Sequence, residues 1–324
     1  MRILITGVSG FIGSHFSKHV LAQSKDVQVI GFGRNSDQLN HSRLMMIPMT
    51  DLERLHLVYG DLCDQNAMSG ICEGVDVVVN FAAKTFVDHS IKDDLPFLRS
   101  NIEGARNLMN DAMRYKVKRF VQISTDEVYG QILTGSYKET AQTAPRNPYA
   151  WSKEAADSYG LMLHRMHGFP IIVTRTENNF GGWQHRQKAI PTFVRAALAN
   201  EPLPVYGDGL HVRCWLHVEE HCRAIHHLLC KSLFLKDYIG EVFHIAGEEE
   251  LTNLDLAGII LKTLGKPLDM IRHVDDHNVR PGHDRRYALD CSKLRATGFQ
   301  VKQDLQTKLA ETVRWYAENR GWMR

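Results

Sequence analysis

Ser124-Thr125-Asp126-Glu127-Val128-Tyr129-Gly130 and Tyr149-Ala150-Trp151-Ser152-Lys153 bring a hydroxyl, two carboxylates, a phenol and an ammonium into a short stretch of chain. Tyr149 and Lys153, four apart, share one face if the segment is helical. Asn147-Pro148 ahead of them reads as an N-cap followed by proline at the first helical position, which sets the phenol near a positive helix end. Cation and helix end both favour phenolate over phenol, so Tyr149 is expected to act as a base near neutral pH. A Tyr-x-x-x-Lys taken alone is more often a core tyrosine beside a solvated lysine. The carboxylates change the reading: alcohol oxidation by hydride transfer needs one proton acceptor, and Asp126 with Glu127 asks for a second proton-coupled step such as elimination of water.

These groups need a frame. Short β-branched runs at 2–6, 27–32, 56–59, 75–80, 119–124 and 170–174 alternate with amphipathic stretches. That alternation predicts an α/β fold, a doubly wound parallel (Rossmann) sheet covered on both faces. Thr125 directly follows the fifth run, at the carboxyl end of a strand where open α/β sheets bind ligands. Residues 1–175 are expected to form the dinucleotide-binding domain, with 213–246 rejoining it through a helix at 218–230 and a strand at 242–246. Residues 176–212 and 247–324 are expected to form a smaller, mixed substrate domain, with helices near 191–200, 254–264 and 305–319.

Gly7-Val8-Ser9-Gly10-Phe11-Ile12-Gly13 lies between the first strand and a helix. Gly7, Gly10 and Gly13 permit a tight turn and close backbone approach, and the helix start at Phe11 and Ile12 offers free N–H groups to a pyrophosphate. The second strand ends without the acidic residue that would hold the ribose hydroxyls of NAD, and Arg34 stands there instead. Arg34 is placed to meet a 2′-phosphate or to stack on adenine, so the cofactor is read as NAD with NADP left open. Asp61, after the third strand, is placed either to address the adenine or simply to form a turn.

Lys+Arg 39 against Asp+Glu 37 leaves a net charge of +2, which favours neither nucleic acid nor an anionic membrane as partner. The six cysteines include no Cys-x-x-Cys pair, which suits free thiols in a reducing compartment. The apolar run Ile3–Ile5 so soon after Met1 leaves no expectation of a signal peptide, and a cytoplasmic location is expected. His217 and His221 have metal-ligand spacing on an expected helix, but the chemistry needs no metal and none is assigned.

The sequence resembles the extended short-chain dehydrogenase/reductases, and among them the nucleoside-diphosphate-hexose 4,6-dehydratases, most closely the dTDP-glucose type. Gly-Phe-Ile-Gly-Ser at 10–14, Phe81-Ala82-Ala83, Ser124 to Gly130, Asn147-Pro148-Tyr149-Ala150, Asn178-Asn179-Phe180-Gly181, Val205 to Gly209 and Arg280 to Tyr287 carry the resemblance nearly end to end. The Thr-Asp-Glu element is the specific one, since 4-epimerases of the wider family usually lack the Asp-Glu pair. The resemblance implies a redox-neutral lyase cycle: Tyr149 with Thr125 and Lys153 serves oxidation at C4, Glu127 takes the C5 proton, and Asp126 protonates the departing 6-hydroxyl. It places Leu62, Ala82 and Ala83 with Tyr149 and Lys153 at the cofactor. Thr85, Asn178, Asn179, Lys188, Arg213, Asn253, Arg280, His283 and Tyr287 fall at the nucleotide sugar, and a homodimer through the helical stripes near 95–113 and 155–166 is expected. Asp126 must then be protonated while Glu127 stays ionised.

The pattern departs from the family at Phe86 (usually histidine), Gly182-Trp183, Gln187 and Cys214 (usually aspartate). These departures surround substrate recognition and leave the base and sugar preference open. A nucleotide-sugar 4-epimerase or reductase, and a non-catalytic dinucleotide-binding protein, are the competing readings; the Asp-Glu pair speaks against the first two and the intact proton-transfer set against the last.

Overall fold

The computed structural model describes residues 1–34, 42–275 and 284–323. Its strands are β1 (Arg2–Thr6), β2 (Gln28–Gly33), β3 (Leu55–Tyr59), β4 (Val77–Asn80), β5 (Arg119–Thr125), β6 (Ile171–Thr176), β7 (Asn178–Phe180), β8 (Leu203–Tyr206), β9 (Val212–His217), β10 (Glu241–Ile245), β11 (Glu250–Thr252) and β12 (Ile271–Val274). The longer helices are α1 (Phe11–Gln23), α2 (Gly104–Arg114), α3 (Pro148–His167), α4 (Ala189–Ala199), α5 (Val218–Phe234), α6 (Asn253–Thr263) and α7 (Leu305–Glu318).

Seven strands form one sheet in the order β10-β6-β5-β4-β1-β2-β3, every neighbour parallel. The expected doubly wound sheet is therefore present. The chain builds outward from β1 through β2 to β3, then from β4 on the other side, so the switch in strand order lies between β1 and β4. A ligand cleft belongs above the carboxyl ends of those strands.

Apart from the exposed edge strand β3, the strands are apolar almost throughout because both faces are covered. Ile3, Ile5, Val77, Val79 and Val121 face α1 and α5, packing with Phe16, Val20, Ile225 and Leu228. Their alternates Leu4, Val78 and Phe120 face α2 and α3, packing with Leu108, Met109, Ala156 and Leu163. Each such side chain contributes about 1.5–3 kcal/mol on full burial. That two-sided packing fixes where β5 and β6 end, and with them the residues that follow.

A separate core gathers Phe180, Phe193, Val205, Trp215, Leu256, Ile260, Leu309 and Tyr316 from α4, α6, α7 and the small sheets. One small sheet has the order β11-β9-β7, and the other pairs β8 with β12. Val212–His217 thus pairs with β7 and β11, while α5 packs on the large sheet and β10 extends it beside β6. His217 ends β9 and is the N-cap of α5, so only His221 of the expected helical pair lies inside the helix. Among the described residues no helix is long and apolar enough to cross a membrane.

Candidate active site

The glycine loop is built for close approach. Gly7 has φ +64, and a Cβ there would lie 2.9 Å from the Ala82 nitrogen. A Cβ on Gly13 would meet the Gly7 carbonyl oxygen at 2.3 Å. α1 starts at Phe11 without a side-chain cap, so the first N–H groups of the helix remain available above the β1–β4 switch. These features fit a dinucleotide diphosphate held by Gly10, Phe11, Ile12 and Gly13.

Ala82 lies against the loop, its N–H donating to Thr6 Oγ1 at 3.3 Å, and Ala83 follows it. Arg34 is exposed at the end of β2. Asp61 accepts the Cys63 N–H at 2.9 Å in the turn after β3, and Leu62 beside it is buried, its carbonyl receiving the Asn107 amide at 3.0 Å. Arg34 and Asp61 stand on the β2–β3 side of the sheet, remote from Thr125.

α3 presents Tyr149, Lys153 and Asp157 at successive four-residue intervals, all buried. Asn147 caps the helix, its Oδ1 accepting the Ala150 N–H at 2.8 Å, with Pro148 in the first turn as the sequence predicts. Burial brings the Lys153 ammonium down to about 8, opposed by the Asp157 carboxylate. Asp157 Oδ2 accepts from Ser124 Oγ at 2.8 Å and from Arg175 Nε at 3.1 Å. Burial and the Glu127 carboxylate raise the Tyr149 phenol, while the Thr125 hydroxyl bond lowers it. Burial among carboxylates thus opposes the downward pull expected of the helix end and the lysine.

Thr125 ends β5, and Asp126–Tyr129 forms a single 3₁₀ turn beyond it. Thr125 Oγ1 donates to Asp126 Oδ1 at 3.0 Å and accepts the Glu127 N–H at 3.3 Å. The two carboxyls meet different surroundings. Burial, then the Glu177 and Glu127 carboxylates, push Asp126 well above the usual carboxylate range. Burial also raises half-buried Glu127, but the Asn147 amide at 3.0 Å and the charges of Lys188 and Arg213 favour its ionised form.

Lys188 and Arg213 thus act on the Glu127 charge, and Glu127 acts in turn on Tyr287. Lys188 Nζ lies 4.6 Å over the Phe86 ring, and the Arg213 guanidinium lies 4.7 Å over Tyr287. Tyr287 donates to Asp284 Oδ2 at 2.6 Å, and Asp284 Oδ1 accepts from Arg146 at 2.5 Å. Asn179 is buried in β7, its amide donating to Thr176 Oγ1 at 3.0 Å while its Oδ1 has no partner. Asn178 precedes it half-buried, Thr85 is exposed in the loop after Ala83, and Asn253 opens α6. Arg280 and His283 lie outside the described residues.

Sequence reasoning misses Asn101, Asp157, Glu177 and Asp284. Asp157 has a signal, its helical spacing from Lys153. Asn101 binds Lys84 backbone and Ser152 Oγ, pinning the loop after β4 to α3, and only the tertiary structure reveals it. Among the described residues no group of three or more His, Cys, Asp or Glu is placed to hold a metal ion.

Comparison with known proteins agrees with this architecture. The family model for GDP-mannose 4,6 dehydratase matches residues 4–312. A dTDP-glucose 4,6-dehydratase of Streptomyces niveus is 45% identical, over 99% of this chain and 94% of that protein. The crystal structure of DesIV, a dTDP-glucose 4,6-dehydratase from Streptomyces venezuelae with NAD and TYD bound, is 41% identical and superposes with a TM-score of 0.92, covering 99% of this chain and 98% of the other. UDP-glucuronic acid 4-epimerase from Bacillus cereus, in complex with UDP-glucuronic acid and NAD, superposes at 0.89 with 25% identity, covering 98% and 99%. Glycine loop, Tyr149–Lys153 helix, Asp126–Glu127 turn and whole-length similarity thus lead to one assignment: the chain belongs to the nucleoside-diphosphate-hexose 4,6-dehydratases of the extended short-chain dehydrogenase/reductases, the family that the GDP-mannose 4,6 dehydratase model describes.

Proposed function

We propose that this chain is an NAD-dependent 4,6-dehydratase that converts dTDP-glucose, or a closely related nucleotide hexose, to the 4-keto-6-deoxy sugar nucleotide. The observation that carries the reading is a pair of adjacent carboxyls in unequal surroundings: burial with the Glu177 and Glu127 carboxylates pushes Asp126 well above the usual range, whereas the burial that raises Glu127 is opposed by Asn147, Lys188 and Arg213. An epimerase has no use for such a pair.

NAD, held by Gly7, Gly10, Phe11, Ile12, Gly13, Ala82 and Ala83, would supply the hydride acceptor for C4 oxidation and the donor for C6. The chain's own side chains move the protons. Tyr149, hydrogen-bonded by Thr125 and beside Lys153, accepts the 4-hydroxyl proton. The ketone so formed acidifies the hydrogen at C5, and Glu127 removes it. Asp126 protonates the 6-hydroxyl, which leaves as water, and Glu127 later returns its proton to C5. Lys188 and Arg213, with Arg280 from the segment outside the described residues, are proposed to hold the diphosphate.

We assign residues 1–175 with α5 and β10 to the cofactor side and 176–217 with 247–324 to the sugar-nucleotide side. The separate core around Phe193, Trp215 and Tyr316 supports the division and moves β9, expected to rejoin the first domain, to the second. A homodimer is proposed through α2, α3 and the segment before them, where Leu95, Trp151 and Met166 are exposed. All six cysteines are free, which supports a cytoplasmic setting.

The deciding experiment incubates the purified protein, with no added cofactor, with dTDP-glucose and UDP-glucose and follows product mass. Loss of one water is expected. An isomer of unchanged mass would make it an epimerase, and no turnover by cofactor-loaded protein would return it to a binding role.

A further inference from the structure

Thr125 and Thr176 are register partners in the β5–β6 ladder, so Asp126 and Glu177 are the first residues beyond the carboxyl ends of two adjacent parallel strands. Neighbouring strands lie about 4.8 Å apart. A second carboxyl therefore leaves the sheet beside the one assigned to protonate the departing hydroxyl. Both residues are only 5% exposed. Glu177 Oε1 accepts the Leu289 N–H at 2.8 Å, while Oε2 is buried with no hydrogen-bond partner. A buried carboxylate with so few donors is costly to ionise, and a carboxyl that carries a proton is not. The nearby cation, Arg286, is engaged at 2.6 Å by Glu250.

Glu177 also lines a cavity of about 320 Å³ together with Ser136, Cys214, Glu250 and Arg286. Glu250 is exposed, so the cavity reaches solvent. Glu177 thus faces a solvent-reaching cavity at the strand end next to the one that carries Asp126.

We propose that Glu177 is a positioning residue for the elimination step, a second carboxyl that keeps the proton on Asp126 and restores it from cavity water after each turnover. The proposal rests on the dehydratase reading. When the C6–O bond breaks, the Asp126 proton leaves with the hydroxyl as water. The proton on Glu177 passes to Asp126, and Glu177 takes another from the cavity. Tyr149, which gained the 4-hydroxyl proton, returns one to solvent, so the cycle balances.

The electrostatics agree. Burial pushes Glu177 up to about 7, against the Cys214 thiol and the Leu289 N–H, which favour its charged form. Glu127 and Arg213 also act on Asp126, and Cys214, Cys291, Glu250 and Arg286 on Glu177.

The test is stopped-flow turnover of dTDP-glucose by Glu177→Gln and Glu177→Ser, with carbon-13 NMR titration of the Asp126 carboxyl, identified through Asp126→Asn. At pH 8, above the value of about 7 at which Glu177 loses its proton, its charge holds the proton on Asp126. Removing that charge lowers the Asp126 pKa, so the alkaline limb of water elimination is expected to move down by about one pH unit, with elimination at pH 8 about tenfold slower. C4 oxidation stays within about twofold, and Glu177→Asp restores the limb. If either folded carboxyl-free variant keeps the wild-type limb and the Asp126 titration is unmoved, the proposal is overturned. If wild-type protein does not dehydrate the sugar but the Asp126 titration still shifts in Glu177→Gln, the dehydratase reading fails and the coupling of the two carboxyls stands.

Discussion

Asn147 holds Glu127: its Nδ2 donates to Glu127 Oε2 at 3.0 Å while its Oδ1 accepts the Ala150 N–H at 2.8 Å and caps α3. One side chain therefore touches both the helix that carries Tyr149 and the ionisation of Glu127, the proposed C5 base. The two duties separate by substitution. Asn147→Asp keeps a good cap but places a carboxylate against Glu127, raising its pKa. Elimination at pH 7 should fall about tenfold or more, while the melting temperature stays near that of wild type. A variant that eliminates water at the normal rate would remove Asn147 from this role.

In the proposed cycle Glu127 and Tyr149 serve different halves, so their variants should stop at different points. Glu127→Gln should let reduced nicotinamide appear and persist, with water loss slowed by about 10²–10⁴-fold. Tyr149→Phe should prevent reduced nicotinamide from appearing at all. Rapid-mixing absorbance and quenched product mass read the two steps separately. Normal elimination by Glu127→Gln would reassign the base.

The large sheet is legible in the sequence because its strands are continuous apolar runs, as Val77–Asn80 shows, and such runs need no partner to be recognised. The small sheets are not. Asn178–Phe180 has no alternating pattern, and its pairing with Val212–His217 is decided by tertiary neighbours. For the same reason His217 reads as helical from spacing yet ends a strand. Tyr149 and Lys153 are legible through helical periodicity within one element. Glu177 is not, because it reaches Asp126 only through the register of β5 on β6, a relation between residues 51 apart in the chain.

Gly13 tests the dinucleotide site independently of turnover. Its missing Cβ leaves room for the Gly7 carbonyl, and an added methyl would sit 2.3 Å from that oxygen. Gly13→Ala should push the loop away from the start of α1, lowering NAD affinity by about tenfold or more, equivalent to about 1.4 kcal/mol. Calorimetric titration of NAD into cofactor-stripped protein measures this directly. Unchanged affinity would mean that the diphosphate is held elsewhere.

The histidines between α1 and α5 predict how stability depends on pH. His221 is fully buried with neither ring nitrogen hydrogen-bonded, and burial lowers its pKa to about 3. His15 and His217 nearby are lowered to about 4, chiefly by burial. Above pH 6.5 these rings are neutral in both folded and unfolded chains and contribute no pH dependence. Below it the unfolded chain binds protons that the folded chain refuses, so stability falls as pH falls, by about 1.4 kcal/mol per pH unit for His221 alone until pH approaches 3. His221→Leu removes that proton site together with two unsatisfied nitrogens. It should raise stability by about 1–3 kcal/mol at pH 7.5 and by about 2 kcal/mol more at pH 5, with turnover unchanged. Urea denaturation at the two pH values decides the matter: if variant and wild type lose stability in parallel between them, His221 is not a source of the acid sensitivity.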